Sequence, residues 1–238
     1  MDSAAYDYEN RIPPGFYDRV YQRKSGVRYC WHDLKFRTVA SHVGAPRRLL
    51  DIGCGPGTFI GNYLDGIEAL GLDLSASQIG YATSTYGTAG HRFSTQLLGA
   101  LAAAGERFDA VTMIELIEHL TPDAAIELLA QARGLLTPEG RLVVTTPNYR
   151  SLWPLIELGV NAKSPVNYIE QHINKYRTGL LEDHLEAAGY RDIRVKTVLG
   201  FAPFAAVLGL GVANAVHAVE TGLRYLGIGN LLLATARP

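Results

Sequence analysis

The sequence predicts an α/β fold, in which a helical N-terminal segment precedes one doubly wound, mainly parallel sheet of seven strands. Three observations favour this fold class. Apolar strand-like runs alternate with helix-like segments along residues 47–238. A glycine-rich turn follows the first apolar run, and the second run ends in the acid Asp73. Alternating strands and helices are typical of a parallel sheet that helices cover on both faces.

The N-terminal segment contains a break at Ile12–Gly15, followed by a helix-like stretch from Phe16 to Val43. This stretch is rich in aromatic side chains, which more often pack in a core than cover a ligand. The sequence leaves both roles open for Phe16, Tyr17, Tyr21, Tyr29, Trp31 and Phe36.

The later elements are predicted from apolar runs, caps and breaks. Helices are expected over Thr58–Leu64, Ser75–Tyr86, Thr121–Leu136 and Leu180–Ala188, where Ser75 and Thr121 are typical N-cap residues. Strands are expected at Leu49–Ile52, Ala69–Leu74, His91–Leu97, Phe108–Ile114, Arg141–Thr146, Ile193–Val198 and Leu231–Thr235.

The segment from Phe201 to Val219 is unusually apolar, but Pro203, Asn214 and His217 interrupt it. A membrane span needs roughly 18 or more consecutive apolar residues. We therefore expect a buried helix inserted before the last strand. The alternative is a surface that contacts a membrane or takes up an apolar substrate.

The composition is that of a globular protein, with 47% hydrophobic and 19% charged residues and a formal net charge of −1. No run of lysine and arginine marks a nucleic-acid footprint, so no nucleic-acid partner is expected. One of the two cysteines, Cys54, lies inside the glycine-rich turn. A disulfide with Cys30 is therefore not expected, and a reducing, cytoplasmic setting fits.

The turn after the first predicted strand has the spacing Gly-x-Gly-x-Gly, from Gly53 to Gly57. Glycine permits a positive φ and lets a ligand approach the backbone. The following helix offers unpaired N–H groups and the positive end of its dipole, so we expect a polar, anion-bearing cofactor here. The dinucleotide spacing Gly-x-Gly-x-x-Gly is not met, because the positions it requires hold Thr58 and Ile60.

Asp51 and these glycines form Asp-x-Gly-x-Gly-x-Gly, which resembles motif I of the class I S-adenosylmethionine-dependent methyltransferases. Asp73 lies about 20 residues further on, where a doubly wound fold places an acceptor for ribose hydroxyls. The alternative role for Asp73 is a helix N-cap. The resemblance implies a Rossmann-like methyltransferase fold with an antiparallel last strand and S-adenosylmethionine as the cofactor. It also implies that residues 1–46 are a lid belonging to the same domain as residues 47–238.

The predicted cofactor contacts include one departure from the resembled family. Relatives often carry an acid after the third strand that reads the adenine amino group, but residues 95–101 contain none. Gln96 could accept that contact instead. The full predicted set is Asp51, Gly53, Cys54, Gly55, Gly57, Asp73, Leu74, Gln96 and Glu115.

Acidic and histidine side chains follow the fourth predicted strand. If the chain turns helical there, Glu115, Glu118 and His119 share one helix face. Two carboxylates and an imidazole are a ligand set for a divalent metal. A metal site, a metal-free base and a purely structural role all remain open for this cluster.

Glu-x-x-Glu-His with a downstream His172 resembles two methyltransferase groups. One is the ubiquinone-biosynthesis O-methyltransferases, which act on catechol-like polyprenyl phenols. The other is the small-RNA 3′-terminal ribose methyltransferases, in which two glutamates and two histidines hold a metal. Carried over by position, the metal set, for Mg or Zn, is Glu115, Glu118, His119 and His172.

These observations predict a methyltransferase acting on a hydroxyl of a small aromatic, sugar or lipophilic acceptor, with or without a metal. Histidine titrates near neutral pH and suits the base. We expect His119, His172 and Glu115 as catalytic residues, with His119 preferred if no metal binds and His32 a weaker candidate. A terminal-ribose RNA methyltransferase is disfavoured by the neutral charge. A non-catalytic cofactor-binding module at a membrane or partner surface is the other alternative.

Overall fold

The computed structural model describes residues 12–161, 172–223, 227 and 229–238. Its strands form one seven-stranded sheet. In chain order they are β1 (Arg48–Ile52), β2 (Glu68–Leu72), β3 (His91–Ser94), β4 (Phe108–Ile114), β5 (Leu136–Pro147), β6 (Arg191–Val198) and β7 (Leu231–Arg237).

Helices cover the sheet, and two of them precede it. In chain order they are α1 (Phe16–Gln22), α2 (Gly26–Val43), α3 (Thr58–Tyr63), α4 (Ala76–Tyr86), α5 (Leu98–Ala103), α6 (Pro122–Gly134), α7 (Trp153–Asn161), α8 (Thr178–Ala187), α9 (Ala202–Ala205) and α10 (Leu210–Gly222). Short 3-10 turns occupy Ile117–His119 and Ala206–Leu208.

The strand order is β3-β2-β1-β4-β5-β7-β6, which confirms the predicted fold class. β1 pairs in parallel with both β2 and β4, whereas β7 runs antiparallel to its neighbours β5 and β6. Strands β2 and β3 extend the sheet on one side of β1, and β4 begins the other side. Such a switch point opens a crevice beyond the carboxyl ends of β1 and β4, where ligands of open α/β sheets bind.

The predicted helix caps are confirmed. The Ser75 hydroxyl accepts a hydrogen bond from the Gln78 backbone N–H at 3.2 Å, at the start of α4. The Thr121 hydroxyl accepts one from Ala124 at 3.4 Å, and Pro122 is the first residue of α6. Each cap satisfies an N–H group that has no partner inside the helix.

Two boundaries differ from the sequence prediction by more than two residues. β3 ends at Ser94 rather than Leu97, and an unpredicted helix, α5, follows it, burying Leu98 and Leu101 on one face. β5 begins at Leu136, five positions before its predicted start. A register shift against β4 lets both Leu136 and Arg141 pair within the same strand.

The expectation of a buried helix at residues 201–219 is wrong in one respect. The segment is helical, in α9 and α10, but Ala213 is the one described residue of α10 that is buried. Val207 and Leu208 are each 74% exposed, and Val219 is 61% exposed. Among the described residues, no helix is long and apolar enough to cross a bilayer.

Helix α1 is held on helices α3 and α4 by the buried carboxylate of Asp18. The Asp18 carboxylate of α1 is 1% exposed. It accepts hydrogen bonds from the hydroxyls of Thr58 at 2.9 Å, Tyr81 at 2.8 Å and Tyr86 at 2.5 Å. A buried carboxylate is stable only when it is hydrogen-bonded, so this cluster fixes how α1 lies over α3 and α4.

Candidate active site

A cavity of about 330 Å³ lies beyond the carboxyl ends of β1, β2 and β4, beneath α1 and α2. Its size falls within the range of about 300–1,000 Å³ that is usual for small-molecule sites. The walls come from the glycine turn, the residues after β4, the N-terminal helices, α7 and α9. The topology therefore brings together segments that are far apart in the sequence.

The three glycines of the turn are required for different reasons. Gly53 and Gly57 have φ values of 75° and 76°, and a Cβ atom at either would lie within 3 Å of Leu116 or Phe93. Packing therefore requires glycine at both positions. Gly55 has a φ of 51°, lines the cavity, and has nothing within 4 Å of where its Cβ would be. The space beside Gly55 is thus open to a ligand.

Asp73 follows β2 and lines the cavity. Its carboxylate accepts hydrogen bonds from the backbone N–H groups of Gly55 and Ser75, both at 2.9 Å. The N-cap of α4 is Ser75, so Asp73 does not fill the capping role that the sequence left open. Asp73 instead fixes the glycine turn and presents a carboxylate to the cavity.

The carboxylate of Asp51 is 2% exposed and accepts a hydrogen bond from the Thr112 hydroxyl at 2.6 Å. Burial raises the pKa of Asp51 to about 7. The neighbouring thiol of Cys54 is also buried at the cavity wall, and burial raises its pKa. Both predicted residues therefore line the cavity.

Three of the residues predicted to bind the cofactor do not line the cavity: Gly57, Leu74 and Gln96. Leu74 is 83% exposed, and Gln96 is exposed at the surface after β3. Neither they nor Gly57 belong to the described wall of the cavity. Adenine recognition by Gln96 remains a prediction that this arrangement does not support.

The chain does not turn helical at Glu115. Glu115, Glu118 and His119 therefore do not share the helix face that the sequence predicted. The φ of Glu115 is 52°, and the 3-10 turn begins only at Ile117. The Glu115 carboxylate forms an ion pair with Lys35 of α2, whose side chain is buried. Burial opposes ionisation of Glu115, but the lysine outweighs burial and lowers the pKa of Glu115 below its usual value.

The remaining residues of the predicted metal set do come together. One ligand atom from each of Glu118, His119 and His172 lies within 4.8 Å of the others. Glu118 accepts a hydrogen bond from the Thr146 hydroxyl at 3.0 Å through Oε2. Its buried Oε1 has no partner among the described residues. Burial, followed by repulsion from Glu115, raises the pKa of Glu118 to about 8.

His172 is buried, and its ring centroid lies 5.1 Å from that of His119. Its Nδ1 is 2.5 Å from Oε1 of Glu157, and the Tyr149 hydroxyl donates to the same oxygen at 2.8 Å. Burial lowers the pKa of His172, and Glu157 opposes that shift. Glu157 and Tyr149 were not predicted, because no local pattern in the sequence links them to His172.

Aromatic side chains form the apolar wall of the cavity. The Trp31 ring lies 5.3 Å from that of Trp153 on α7 and 6.5 Å from that of Phe204 on α9. Phe16, Tyr17 and Phe36 also line the cavity. Tyr21 and Tyr29 are absent from its described wall, so the aromatic residues divide between the two roles that the sequence left open.

His32 also lines the cavity, on the face of α2 that carries Lys35. Burial, and then the charge of Lys35, lowers the pKa of His32 to about 3. The ring is therefore neutral near pH 7.

Residues 23–195 match the protein family described as a methyltransferase domain. Among curated proteins, the chain is similar to a ubiquinone biosynthesis O-methyltransferase of Cereibacter sphaeroides, with 39% identity over 107 residues. That match covers 42% of this chain and 41% of the relative, so the chain spans about two fifths of that relative's length.

Solved structures share the fold over nearly the whole chain. A SAM-dependent methyltransferase from Archaeoglobus fulgidus has a TM-score of 0.62 and 19% identity, covering 94% of this chain and 99% of that chain. The magnesium protoporphyrin IX methyltransferase of Synechocystis PCC 6803, solved with bound SAH, has a TM-score of 0.60 and 18% identity. There the coverage is 98% of this chain and 97% of that chain.

Proposed function

The chain belongs to the class I S-adenosylmethionine-dependent methyltransferases, and from that premise we propose that it methylates a hydroxyl oxygen of a small acceptor. The observation that carries this proposal is that a polar cluster and aromatic rings meet in one cavity. Glu118, His119 and His172 lie close together, and the Trp153 ring lies 6.2 Å from that of His172 and 5.3 Å from that of Trp31.

The residues at the carboxyl ends of β1 and β2 fit the cofactor. The open space at Gly55 leaves room for it beside the turn. Asp73 has further lone pairs with which to accept the ribose hydroxyls. Lys35 and Glu115 set opposite charges side by side, which complements the carboxylate and ammonium groups of the cofactor's amino-acid end.

When bound, the cofactor supplies a methyl group on a positively charged sulfur, and the acceptor oxygen takes that methyl as the carbon–sulfur bond breaks. The chain has to orient the acceptor and remove its proton, because a hydroxyl is a weak acid at neutral pH. His172 is the proton acceptor we propose, with His119 beside it. Burial lowers the pKa of His172, which favours the neutral ring that a base requires.

The acceptor we propose is aromatic or lipophilic. Rings of Trp31, Trp153 and Phe204 present apolar faces at the cavity wall, and aromatic faces stack on flat, apolar groups. The similar curated protein is named for ubiquinone biosynthesis, which supports an acceptor of this kind.

A metal-assisted reaction is the second candidate, and one observation favours it. Glu118 Oε1 is buried without a described partner, next to two histidines. A divalent ion held by Glu118, His119 and His172 would compensate that carboxylate and acidify the acceptor hydroxyl. Glu115 would not belong to this set, because its carboxylate already forms an ion pair with Lys35.

The test is an assay of methyl transfer from labelled S-adenosylmethionine to a panel of phenols, catechols, sugars and lipophilic alcohols. The expected product is a methyl ether of an aromatic or lipophilic hydroxyl compound. Methylation at nitrogen or carbon alone would contradict the proposal. Elemental analysis and turnover in a chelator decide between the two candidates, since full turnover without metal excludes the second.

A further inference from the structure

We propose that Arg28, at the rim of the cavity, binds an anionic group of the acceptor, so that the substrate is a hydroxylated aromatic or lipophilic acid. The anionic group is a carboxylate or a phosphate, because a guanidinium donates two parallel hydrogen bonds to either of them. This inference rests on the proposed function, whose acceptor it defines further. It concerns binding, so it can be tested without any turnover.

Arg28 belongs to the face of α2 that lines the cavity. Trp31, His32 and Lys35 follow it at three, four and seven positions, which is the spacing of one helix face. Three residues of helix rise about 4.5 Å, so a group that contacts the Trp31 ring lies one turn from Arg28. The charge of Arg28 also acts inside the cavity, because it contributes, after burial and Lys35, to lowering the pKa of His32.

The charge of Arg28 has no counter-ion among the residues that the structure describes. Its side chain forms no ion pair and no hydrogen bond with any of them. Each carboxylate of the described cavity wall accepts from another donor: Asp51 from Thr112, Asp73 from Gly55, Glu115 from Lys35, Glu118 from Thr146 and Glu157 from Tyr149. Arg28 therefore presents at the cavity a positive charge that a bound anion can neutralise.

The chain around Arg28 is basic, which strengthens the attraction for an anion. Residues 19–32 contain no acid and four cations: Arg19, Arg23, Lys24 and Arg28. All four are exposed. Charges of one sign near the mouth of a cleft raise the local concentration of ligands with the opposite charge. This segment therefore favours an anionic acceptor over a neutral one of the same shape.

A role in surface stability explains Arg28 less well. Arg37, on the same helix, shows what such a role looks like in this chain. It pairs with Asp33, four positions earlier, at 3.0 Å and donates to Asn214 at 2.7 Å. The positions three and four residues away from Arg28 hold no acid: they are Lys24, Ser25, Trp31 and His32. The helix itself therefore offers Arg28 no ion pair of the kind that stabilises isolated helices.

The first measurement is the binding of matched probes in the presence of S-adenosylhomocysteine, by calorimetric titration. Protocatechuate and dihydrocaffeate carry a carboxylate on a catechol, and their amides keep the shape without the charge. Hydroxyphenyl phosphate, compared with hydroquinone, tests a phosphate in the same way. At least one acid should bind about 5- to 20-fold more tightly than its neutral partner, since a cation at the rim stays partly hydrated. Equal binding of acids and neutral partners, or no binding of any acid, would overturn the proposal.

Substitutions at Arg28 test whether this residue causes the preference. Arg28→Gln should bring the acid and its neutral partner to within about twofold of each other in Kd. Arg28→Lys keeps the charge without the paired hydrogen bonds, so part of the preference should remain. Arg194→Gln removes the same charge from an exposed position on β6, outside the described cavity wall, and should keep the full preference. A full preference in Arg28→Gln would contradict the assignment.

Salt gives an independent readout. Added salt screens an ion pair at the rim, so it should weaken binding of the acid to the wild-type protein and leave the amide unchanged. Arg28 is exposed and makes no hydrogen bond to a described residue, so Arg28→Gln should fold normally. Equal salt dependence for the acid and the amide would show that no ion pair forms.

Two comparisons separate the anion site from the cofactor and from the proposed reaction. If Arg28→Gln weakens S-adenosylhomocysteine as strongly as it weakens the acids, Arg28 serves the cofactor and the proposal is overturned. If acids bind through Arg28 but form no methyl ether, the anion site stands and the proposed O-methylation fails. If neutral phenols are methylated as efficiently as the acids, O-methylation stands and the anion site fails.

Discussion

Charge inside the cavity is carried by a few side chains, and they are not compensated equally. Lys35 neutralises Glu115, and Glu157 is hydrogen-bonded to His172. Among the described charged side chains of the cavity, Glu118 alone has a buried oxygen without a hydrogen-bond partner. At the residue scale, this difference supports the roles that we propose: Glu115 and Lys35 for the cofactor's charged end, and Glu118 for the acceptor or a cation.

Asp73→Ala tests the cofactor side of this assignment. The substitution removes a charged acceptor for the ribose hydroxyls, so affinity for S-adenosylhomocysteine should fall by about 1.5–3 kcal/mol, or roughly 10- to 150-fold in Kd. Calorimetric titration with S-adenosylhomocysteine measures this change in Kd. Asp65→Ala, at an exposed position before β2, is the matched control and should bind normally. An unchanged Kd for Asp73→Ala would count against the ribose role.

The raised pKa of Glu118 leads us to expect an unusual dependence of stability on pH. Burial raises its pKa from 4.5 to about 8, so between these values the folded protein keeps a proton that the unfolded chain releases. The free energy of unfolding therefore falls as pH rises through this window, and the loss persists above it. Glu118→Gln should raise that free energy at pH 8 by about 2–4 kcal/mol, and much less at pH 5.

Urea unfolding in the presence of a chelator, at both pH values, measures this effect. The exposed Glu186→Gln is the control and should show no such difference. A stabilisation by Glu118→Gln that is equal at pH 5 and pH 8 would show that this carboxyl is ionised normally in the folded state.

At the element scale, the N-terminal helices are fixed to the sheet layer and line the cavity. Asp18 accepts three hydroxyl hydrogen bonds from α3 and α4, and the Gly15 N–H donates to Gln78 at 3.0 Å. The same pair of helices contributes Lys35 and Trp31 to the cavity wall. A ligand in the cavity would therefore contact both α1 and α2.

Asp18→Ala tests this attachment. One buried and two partly buried hydroxyls lose their acceptor, so the free energy of unfolding should fall by about 2–4 kcal/mol. Hydrogen exchange in α1 should accelerate by more than exchange in β4, because the lost contacts hold α1, whereas β4 stays paired with β1 and β5. Equal acceleration in both elements would mean that α1 and the sheet open together.

The helices after β6 show where element-scale reasoning from sequence fails. Apolar composition at residues 201–219 predicted burial, and helices formed as expected. Yet α10 packs on α2 with few side chains, and Val207 and Leu208 stay exposed. Composition measures how apolar a segment is, but the surface available to cover it depends on packing of the whole fold.

At the scale of the whole molecule, the site follows from the strand order. The glycine turn after β1 and the polar residues after β4 come together because the two strands are neighbours at the switch point. Spacing in the sequence was enough to predict that Gly55, Asp73 and the Glu118–His119 pair lie at the ligand-binding edge of the sheet. Lys35 was not predictable, because it lies 80 residues from Glu115 and pairs with it only through the fold.

A ligand that contacts the N-terminal helices, the glycine turn and the end of β4 together should stabilise the whole chain. At about 100 times its Kd, S-adenosylhomocysteine should add about 2.7 kcal/mol, which corresponds to a rise in Tm of roughly 5–10 °C. Differential scanning calorimetry measures this rise. Adenosine alone should give a smaller rise at the same concentration, because it cannot reach Lys35 and Glu115.

The most direct test of the account is a crystal structure of the protein with S-adenosylhomocysteine. We expect the ribose hydroxyls on the Asp73 carboxylate, the backbone of Gly55 against the ligand, and the amino-acid end beside the Lys35–Glu115 ion pair. A ligand bound outside this cavity, or bound within it with its ribose away from Asp73, would contradict the account.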